Sequence, residues 1–467
     1  MELSEFLNGR TPSLRRHQMY GLIFRLSCPA ILAQVATVVM LYIDAMMVGR
    51  LGASATASIG VILSSIWVVV GLVHAVAAGF SVQVAHAFGA EDFTRAKDVF
   101  RGGSIVCLLF SVSLALLCLG LSPYLPRWMG ADTALWKSSS AYFAIYACSI
   151  PTVQLRVYSG AVLQCAGNTK IPGLLNTVLC LLDMVFNFFL IFPIRRITFG
   201  GLSFVIPGAD LGVMGAALGT ALAEGVIALL MFNMAFRVPE LHFKFSSWRT
   251  SKSILKTAAK ISIPTSVESV AKEGSHIFIT RLIAPLGAVA LASDTLAFTI
   301  EQLCYLPGFG FSVVATTLVG QALGAGRQDL ARTFAWSTVR CGVLVVTSIA
   351  ALIYAFAPTL FALFTANADV QTLGTRILRL VLLVEPLIAS AVVATGALRG
   401  AKDTLTPCLV IILCKWGVVI PLASVLVKPY GLAGIWRAMA VEFCVRGVIL
   451  LSRLRHERSW LKKRGGE

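Results

Sequence analysis

The chain has 467 residues and a formal net charge of +17, yet only 13% of its residues are charged and 57% are hydrophobic. A soluble protein carries roughly 25% charged residues, so the composition excludes an ordinary soluble domain. Apolar runs of about 20 residues, the length that crosses a bilayer as a helix, follow one another along nearly the whole chain. The sequence therefore predicts an all-α polytopic membrane protein, whose basic charge reflects membrane topology and not nucleic-acid binding.

Twelve membrane-spanning helices are predicted from the apolar runs and the polar breaks between them. Residues 1–20 are charged and lack a compact apolar core, so we expect no cleavable signal peptide there. Arginine and lysine are concentrated in alternate loops and in the tail, which places both termini in the cytoplasm; the expected location is a bacterial inner membrane. The predicted spans are 22–48, 55–84, 97–122, 136–164, 170–192, 211–235, 258–283, 290–320, 331–360, 373–398, 405–427 and 431–453.

The two halves of the chain repeat each other at an offset of 235 residues. Pro29 recurs as Pro264, and Gly89 recurs as Gly324. Each half has six spans, so the halves enter the membrane in the same direction as parallel repeats, the arrangement of many transporters. The sequence predicts an N-lobe over 1–235, a basic cytoplasmic linker over 236–257 and a C-lobe over 258–467.

The repeat is interrupted once, between spans five and six of the first half. Residues 195–210 have no counterpart in the second half, and two short β-prone runs flank Gly200-Gly201. This pattern predicts an external β-hairpin.

Polar side chains inside the first-half spans are the first candidates for function, because burying them in a membrane is costly. Asp44 lies in span one. Asp183 and Asn187 lie in span five at i,i+4 spacing, which places both on one helix face. Their repeat mates are all apolar: Ile279, Val418 and Leu422. Three isolated polar residues are expected to serve packing or interfacial anchoring: His74, His86 and Arg156.

The second half carries a larger set of ionisable residues in its spans. The i,i+4 spacing of Glu268 and Lys272 predicts an ion pair that neutralises itself. Pro386 predicts a kink in span ten. The residues left as a possible second cation site are Glu273, His276, Glu301 and Glu385.

Motifs of enzymes and metal sites are missing from the sequence. No Walker A, HExxH, GxSxG or Asp-rich prenyltransferase motif occurs. The 11 cysteines are scattered without CxxC spacing, which favours buried thiols over disulfides or zinc ligands. We therefore expect no catalysis, no metal and no cofactor, and a transporter driven by a gradient of H⁺ or Na⁺.

Three sequence stretches together resemble the multidrug and toxic compound extrusion (MATE) family. The first is Ile43-Asp44-Ala-Met-Met-Val-Gly49, followed by Leu51-Gly52-Ala53. The others are Val319-Gly-Gln-Ala-Leu-Gly-Ala-Gly326 and Gly396-Ala-Leu-Arg-Gly-Ala-Lys-Asp-Thr404. The resemblance extends from about Leu22 to Leu451.

The resemblance implies a V-shaped, two-lobe exporter that antiports drug-like organic cations or amphiphiles against H⁺ or Na⁺ by alternating access. Asp44 matches the family's coupling aspartate of span one, and Thr220 matches its threonine of span six. The family's span-five pair has Asn before Asp, whereas this chain has Asp183 before Asn187. Sodium-coupled members use acids in spans seven and ten, close to Glu273 and Glu385.

Two other functions are alternatives to drug export. A lipid-linked oligosaccharide flippase on a related scaffold usually has a strongly cationic cavity. The first-half spans of this chain are instead more acidic than basic, because they contain the acids Asp44, Asp183 and Glu224 and the base Arg156. This balance favours the export of cations. A membrane-embedded transferase would need the catalytic carboxylate motifs that are missing. The expected partners are small organic cations and the lipid bilayer, with no nucleic acid, and the expected state is a monomer.

Overall fold

The computed structural model describes residues 16–199, 202–243, 250–456 and residue 460. Twelve long helical segments, α1–α12, follow the predicted spans in order, with ends that agree to within two helical turns. The first half contains α1 (Arg16–Gly49), α2 (Ala53–Gly89), α3 (Phe93–Leu121), α4 (Thr133–Cys165), α5 (Lys170–Ile191) and α6 (Gly212–Phe236). The second half contains α7 (Lys252–Ile283), α8 (Ala288–Gly324), α9 (Gln328–Phe364), α10a (Ala368–Leu382), α10b (Glu385–Gly400), α11 (Leu405–Tyr430) and α12 (Leu432–Arg455).

Most of these helices are apolar enough to cross a membrane by themselves. By length and composition, eight helices in the described ranges qualify, or nine if α10a and α10b form one broken span. The exceptions are α4, α7 and α12. Each of these three carries a charged side chain that pairs with an opposite charge on another helix. Internal ion pairs thus satisfy these charges inside the bundle.

Two helices of the second half are interrupted. The axis bends by 55° between α10a and α10b, where Pro386 lies in the first turn of α10b and has no backbone N–H to donate. This confirms the predicted kink. In α11, the residues Leu413–Val419 form a π-helical segment between two α-helical parts, and such bulges are frequent at functional sites.

The predicted hairpin between α5 and α6 is confirmed. Strand β1 (Arg195–Phe199) pairs antiparallel with β2 (Leu202–Ile206), with Arg195 opposite Ile206. After the hairpin the chain returns to the end of α5, where the N–H groups of Ala209 and Leu211 donate to the carbonyls of Phe189 and Leu190. The segment that follows the hairpin thus pairs with the last turn of α5.

Each half contains its own buried core, and the first helix of each half crosses into the other core. In the first half, the core forms around Phe80, Phe100 and Tyr158 and also includes Ile254 and Ala258 from the start of α7. In the second half, one core forms around Phe311 and Phe334 and also includes Met19, Ile23 and Leu26 from the start of α1. The segment predicted as a linker is shorter than expected, because α7 already begins at Lys252.

Equivalent glycines at the starts of α6 and α12 allow close packing in both halves. A Cβ atom added at Gly215 would collide with the backbone of Leu190, and one added at Gly434 with the backbone of Leu426. We expect Gly215→Ala and Gly434→Ala each to lower the free energy of unfolding by about 1–3 kcal/mol, because the backbones must separate. Thermal unfolding of the detergent-solubilised protein measures the effect.

A matched control lies in the same helix as Gly215. A Cβ at Gly225 meets no atom within 4 Å, so Gly225→Ala should leave stability unchanged or raise it slightly through helix propensity. Equal melting temperatures for the Gly215 and Gly225 variants would contradict this packing argument.

Candidate functional site

The structure brings the predicted polar residues of the first half into one cluster. The side-chain amide of Asn187 on α5 donates to Asp44 Oδ1 on α1 at 2.7 Å and to Asp183 Oδ2, one turn away, at 3.1 Å. The predicted shared face of Asp183 and Asn187 is therefore correct. The contact with Asp44 is made across two helices, which sequence spacing alone does not give.

The cluster is deeply enclosed and lacks a positive partner. Asp183 and Asn187 have no exposed surface, and Asp44 is half-buried. Within the described ranges, no lysine or arginine pairs with Asp44 or Asp183, and the Oδ1 atoms of Asp183 and Asn187 have no hydrogen-bond partner. Because two carboxylates in contact repel strongly in a medium of low dielectric, this arrangement suits a group that binds a proton or a small cation.

Helix α6 approaches the cluster closely. A Cβ atom at Gly219 would collide with Asn187 Oδ1, so glycine is what permits this contact. Thr220, the next residue, donates to the carbonyl of Ala216 and lies beside Asp183. The four predicted residues Asp44, Asp183, Asn187 and Thr220 thus lie together. Sequence reasoning missed Gly219, whose only signal was the small-residue run 215–219.

A second polar network lies between α4, α5 and α6. The Arg156 guanidinium binds both carboxylate oxygens of Glu224, with Nη2 2.9 Å from Oε1, and Nη1 donates to Asn176 Oδ1 at 2.9 Å. The expectation that Arg156 is an isolated packing residue is wrong, because Arg156 pairs with Glu224. The two residues are 68 positions apart in sequence, so local spacing does not reveal the pair. His74, another of those isolated residues, is exposed on α2.

In the second half, the four candidate residues differ in their direct partners. Glu301 on α8 and Glu385 at the start of α10b are both buried and interact electrostatically. Both carboxylate oxygens of Glu385, and Oε2 of Glu301, have no hydrogen-bond partner in the described part of the chain. Glu273 instead lies 3.6 Å from Lys272, and the His276 ring packs edge-on against Phe298.

The expected pair of Glu268 with Lys272 does not form. Glu268 accepts a hydrogen bond from Arg399 on α10b at 2.7 Å, while Lys272 is exposed and lies next to Glu273. The i,i+4 spacing permitted the expected pair, but the delocalised guanidinium, which forms strong charge-assisted bonds, reaches Glu268 from another helix.

A buried charge cluster joins α11 to α12. Glu442 has no exposed surface and lies 3.0 Å from Lys415 and 3.2 Å from Arg446. Lys415 and Arg446 also lie over the ring of Phe443, each at 5.1 Å from its centroid. Lys415 belongs to the π-helical segment of α11. Its charge and that of Arg446 act on Glu301, so this cluster balances the nearby acids.

Comparison with known proteins gives matches along nearly the whole chain. The MatE family model matches residues 29–189 and 264–425, two segments whose starts are 235 residues apart, as in the internal repeat. A probable multidrug resistance protein NorM of Thermotoga maritima is 24% identical over 439 residues, covering 92% of this chain and 90% of that protein. The uncharacterized transporter YisQ of Bacillus subtilis is 23% identical over 445 residues, covering 94% and 95%.

Solved structures share the fold. An outward-facing multidrug resistance MATE transporter superposes with a TM-score of 0.87 at 20% identity, covering 95% of this chain and 97% of that one. A transporter from Pyrococcus furiosus described by the reversed polarity of its binding pocket has a TM-score of 0.86, also at 20% identity and the same coverage. At this level of identity the likeness establishes the twelve-helix, two-repeat architecture.

The network of Arg156 and Glu224 generates a stability prediction. We expect Arg156→Leu to cost about 3–5 kcal/mol of unfolding free energy, because it leaves the Glu224 charge buried without a partner. The double variant Arg156→Leu/Glu224→Leu should recover most of this loss. A double-mutant cycle by denaturant unfolding measures it.

The pair of Arg101 with Asp98 is a suitable control. Asp98 is 50% exposed, so Arg101→Leu should cost less than about 1 kcal/mol. Additive losses at positions 156 and 224 would contradict the prediction.

Proposed function

Because this chain belongs to the multidrug and toxic compound extrusion (MATE) family of membrane transporters, we propose that it exports cationic or amphiphilic organic compounds in exchange for protons. The observation that carries this proposal is the contact of Asp44 with Asn187 and Asp183 in the first half. Two relatives are named as probable multidrug resistance proteins, and this supports the proposal that the chain accepts a broad range of organic substrates.

The exchange follows from the charge of the cluster. With its carboxylates ionised, the cluster attracts an organic cation across the low-dielectric interior. Protonation removes that attraction, so a cation bound next to Asp44 is released when protons arrive. The two ligands then compete for the same carboxylates, which couples proton entry to substrate exit.

A proton fits the cluster better than Na⁺. Hard cations take several oxygen ligands, whereas the Asn187 amide places its nitrogen, a donor, between the two carboxylates. Binding of Na⁺ between the two carboxylates would require this donor nitrogen to move away. Proton coupling needs no such rearrangement.

The orientation in the proposal rests on charge in the loops. Basic residues are concentrated in the first turns of α3 (Arg95, Lys97 and Arg101), in the α6–α7 connection and in the tail, and the positive-inside rule then places this side of the bundle and both termini in the cytoplasm. A bacterial inner membrane is the proposed location. Export from the cytoplasm needs a site that faces both sides alternately.

The second half supplies a second candidate for cation binding, formed by Glu301 and Glu385. Unpaired buried carboxylate oxygens are costly, and Glu385 has two of them. We propose that this pair binds a proton or cation during transport, while Glu273 and His276 act outside it. Lys415 and Arg446 limit its negative charge.

The first functional prediction concerns Asp44. Asp44→Asn keeps the size of the side chain and removes its charge, so we expect proton-driven efflux of a fluorescent organic cation to fall at least about tenfold, since competition for one carboxylate is lost. Proteoliposomes with an imposed pH or Na⁺ gradient measure the rate.

Asp98→Asn changes an exposed acid near the start of α3 and should transport like the wild type. Full proton-driven efflux by the Asp44 variant would disprove the coupling role. Wild-type efflux driven by a Na⁺ gradient and not by a pH gradient would instead show that Na⁺ is the coupling ion.

The second functional prediction separates the acids of the second half. Glu385→Gln should reduce maximal efflux several-fold, because the carboxylate pair loses its charge, whereas Glu273→Gln should have a smaller effect because Glu273 lies outside the pair. The same proteoliposome assay compares the two variants. A larger loss in the Glu273 variant would show that Glu273, and not the pair of Glu301 and Glu385, is the more important acid for transport.

A further inference from the structure

The C-terminal ends of α2 and α8 meet between the two halves of the molecule, at the side where the α2–α3 and α8–α9 connections lie. Two pairs of positions matter at this meeting point. His86 and Gln321 are equivalent under the 235-residue repeat, and so are Cys165 and Gly400. Cys165 is the last residue of α4, and Gly400 is the last residue of α10b.

The two equivalent side chains make equivalent hydrogen bonds, each into the opposite half. His86 Nε2 lies 2.8 Å from the carbonyl oxygen of Gly400. Gln321 Nε2 donates to the carbonyl oxygen of Cys165 at 2.7 Å. The last carbonyls of a helix lack a partner within that helix, so each half supplies the donor that the other half needs.

Equivalent glycines bring the two helices into backbone contact at the same point. A Cβ atom at Gly89 would collide with the carbonyl of Gln321, and a Cβ atom at Gly324 would collide with the carbonyl of His86. The crossing therefore has the same pseudo-twofold symmetry as the two hydrogen bonds. Gln321 is buried and His86 is half-buried, so the contact excludes water.

We infer that His86 and Gln321 form a symmetric latch that closes the cytoplasmic end of the cleft between the two halves. The cytoplasmic location of the latch rests on the proposed orientation of the chain, whereas the latch itself rests on the hydrogen bonds and the helix crossing. When the halves separate, the carbonyls of Cys165 and Gly400 exchange these donors for water, so the latch opens and closes reversibly. The molecule described here has the latch closed.

A further contact crosses the same boundary without a symmetric counterpart. Thr317 Oγ1 donates to the carbonyl of Gln164 at 3.1 Å, but its repeat mate is Val82, which has no hydroxyl. This contact adds to the closed state, whereas His86 and Gln321 are the pair that both halves share.

A native cysteine reports whether the latch is open. Cys165 is 5% exposed in the closed arrangement. Modification by a membrane-impermeant maleimide, applied to inside-out vesicles and quantified at Cys165 by peptide mass spectrometry, follows the open population. We expect Gln321→Met and His86→Leu each to increase the modification rate about fivefold, the effect of losing one ordinary hydrogen bond.

Gln154→Met is the matched control. Gln154 Nε2 also donates to a backbone carbonyl, that of Val73 at 3.3 Å, but both residues belong to the first half. This variant loses the same kind of hydrogen bond without affecting the boundary, so Cys165 should react at the wild-type rate.

The outcomes separate the latch from the proposed transport function, because labelling needs neither substrate nor ion gradient. Wild-type rates in both latch variants would overturn the inference, and so would an equal increase in the Gln154 variant, which would indicate general loosening. An increase seen only when the reagent is added to right-side-out vesicles would support the latch and reverse the proposed orientation. An Asp44→Asn variant that fails to transport would leave these labelling results unchanged.

Discussion

The constraint on which the rest of this structure depends is the compensation of charge inside a membrane-spanning bundle. A buried ion costs several kcal/mol unless a partner and hydrogen bonds replace water. Arg156 with Glu224, Arg399 with Glu268, and Lys415 and Arg446 with Glu442 each provide the charged partner, although Glu268 Oε2 and Arg399 Nε form no further hydrogen bond in the described ranges. Most of these pairs join neighbouring helices, and they let α4, α7 and α12 carry charged side chains inside the bundle.

The candidate coupling acids of each half have no paired cation in the described ranges. Asp44 and Asp183 share one amide donor and no cation, and Glu385 has no partner for either oxygen. A buried carboxylate without a paired cation attracts a positively charged ligand. In a transporter this ligand is a proton, a metal cation or an organic cation. The same physical rule thus separates the acids that hold helices together from those suited to coupling.

Symmetry divides the molecule in a second way. The scaffold is shared between the repeats: equivalent glycines at 215 and 434, equivalent helix crossings at 89 and 324, and equivalent interlobe hydrogen bonds from His86 and Gln321. The buried acids are not shared, since Ile279 and Val418 stand at the repeat mates of Asp44 and Asp183. Surfaces that pack against each other across a pseudo-twofold axis must match in both halves, whereas a buried acid that binds a cation needs no counterpart at the equivalent position of the other half.

Local features were determined by the sequence alone. Helix ends, the hairpin at 195–210, the kink at Pro386 and the common face of Asp183 and Asn187 depend on composition and on the helical period, which neighbouring residues set. Only the tertiary structure decided which residues meet between helices: Asp44 with Asn187, Glu268 with Arg399 and not Lys272, and the starts of α1 and α7 inside the opposite cores. Those contacts depend on how each helix is rotated and tilted against its neighbours, and packing across the whole bundle sets that orientation, which no local pattern encodes.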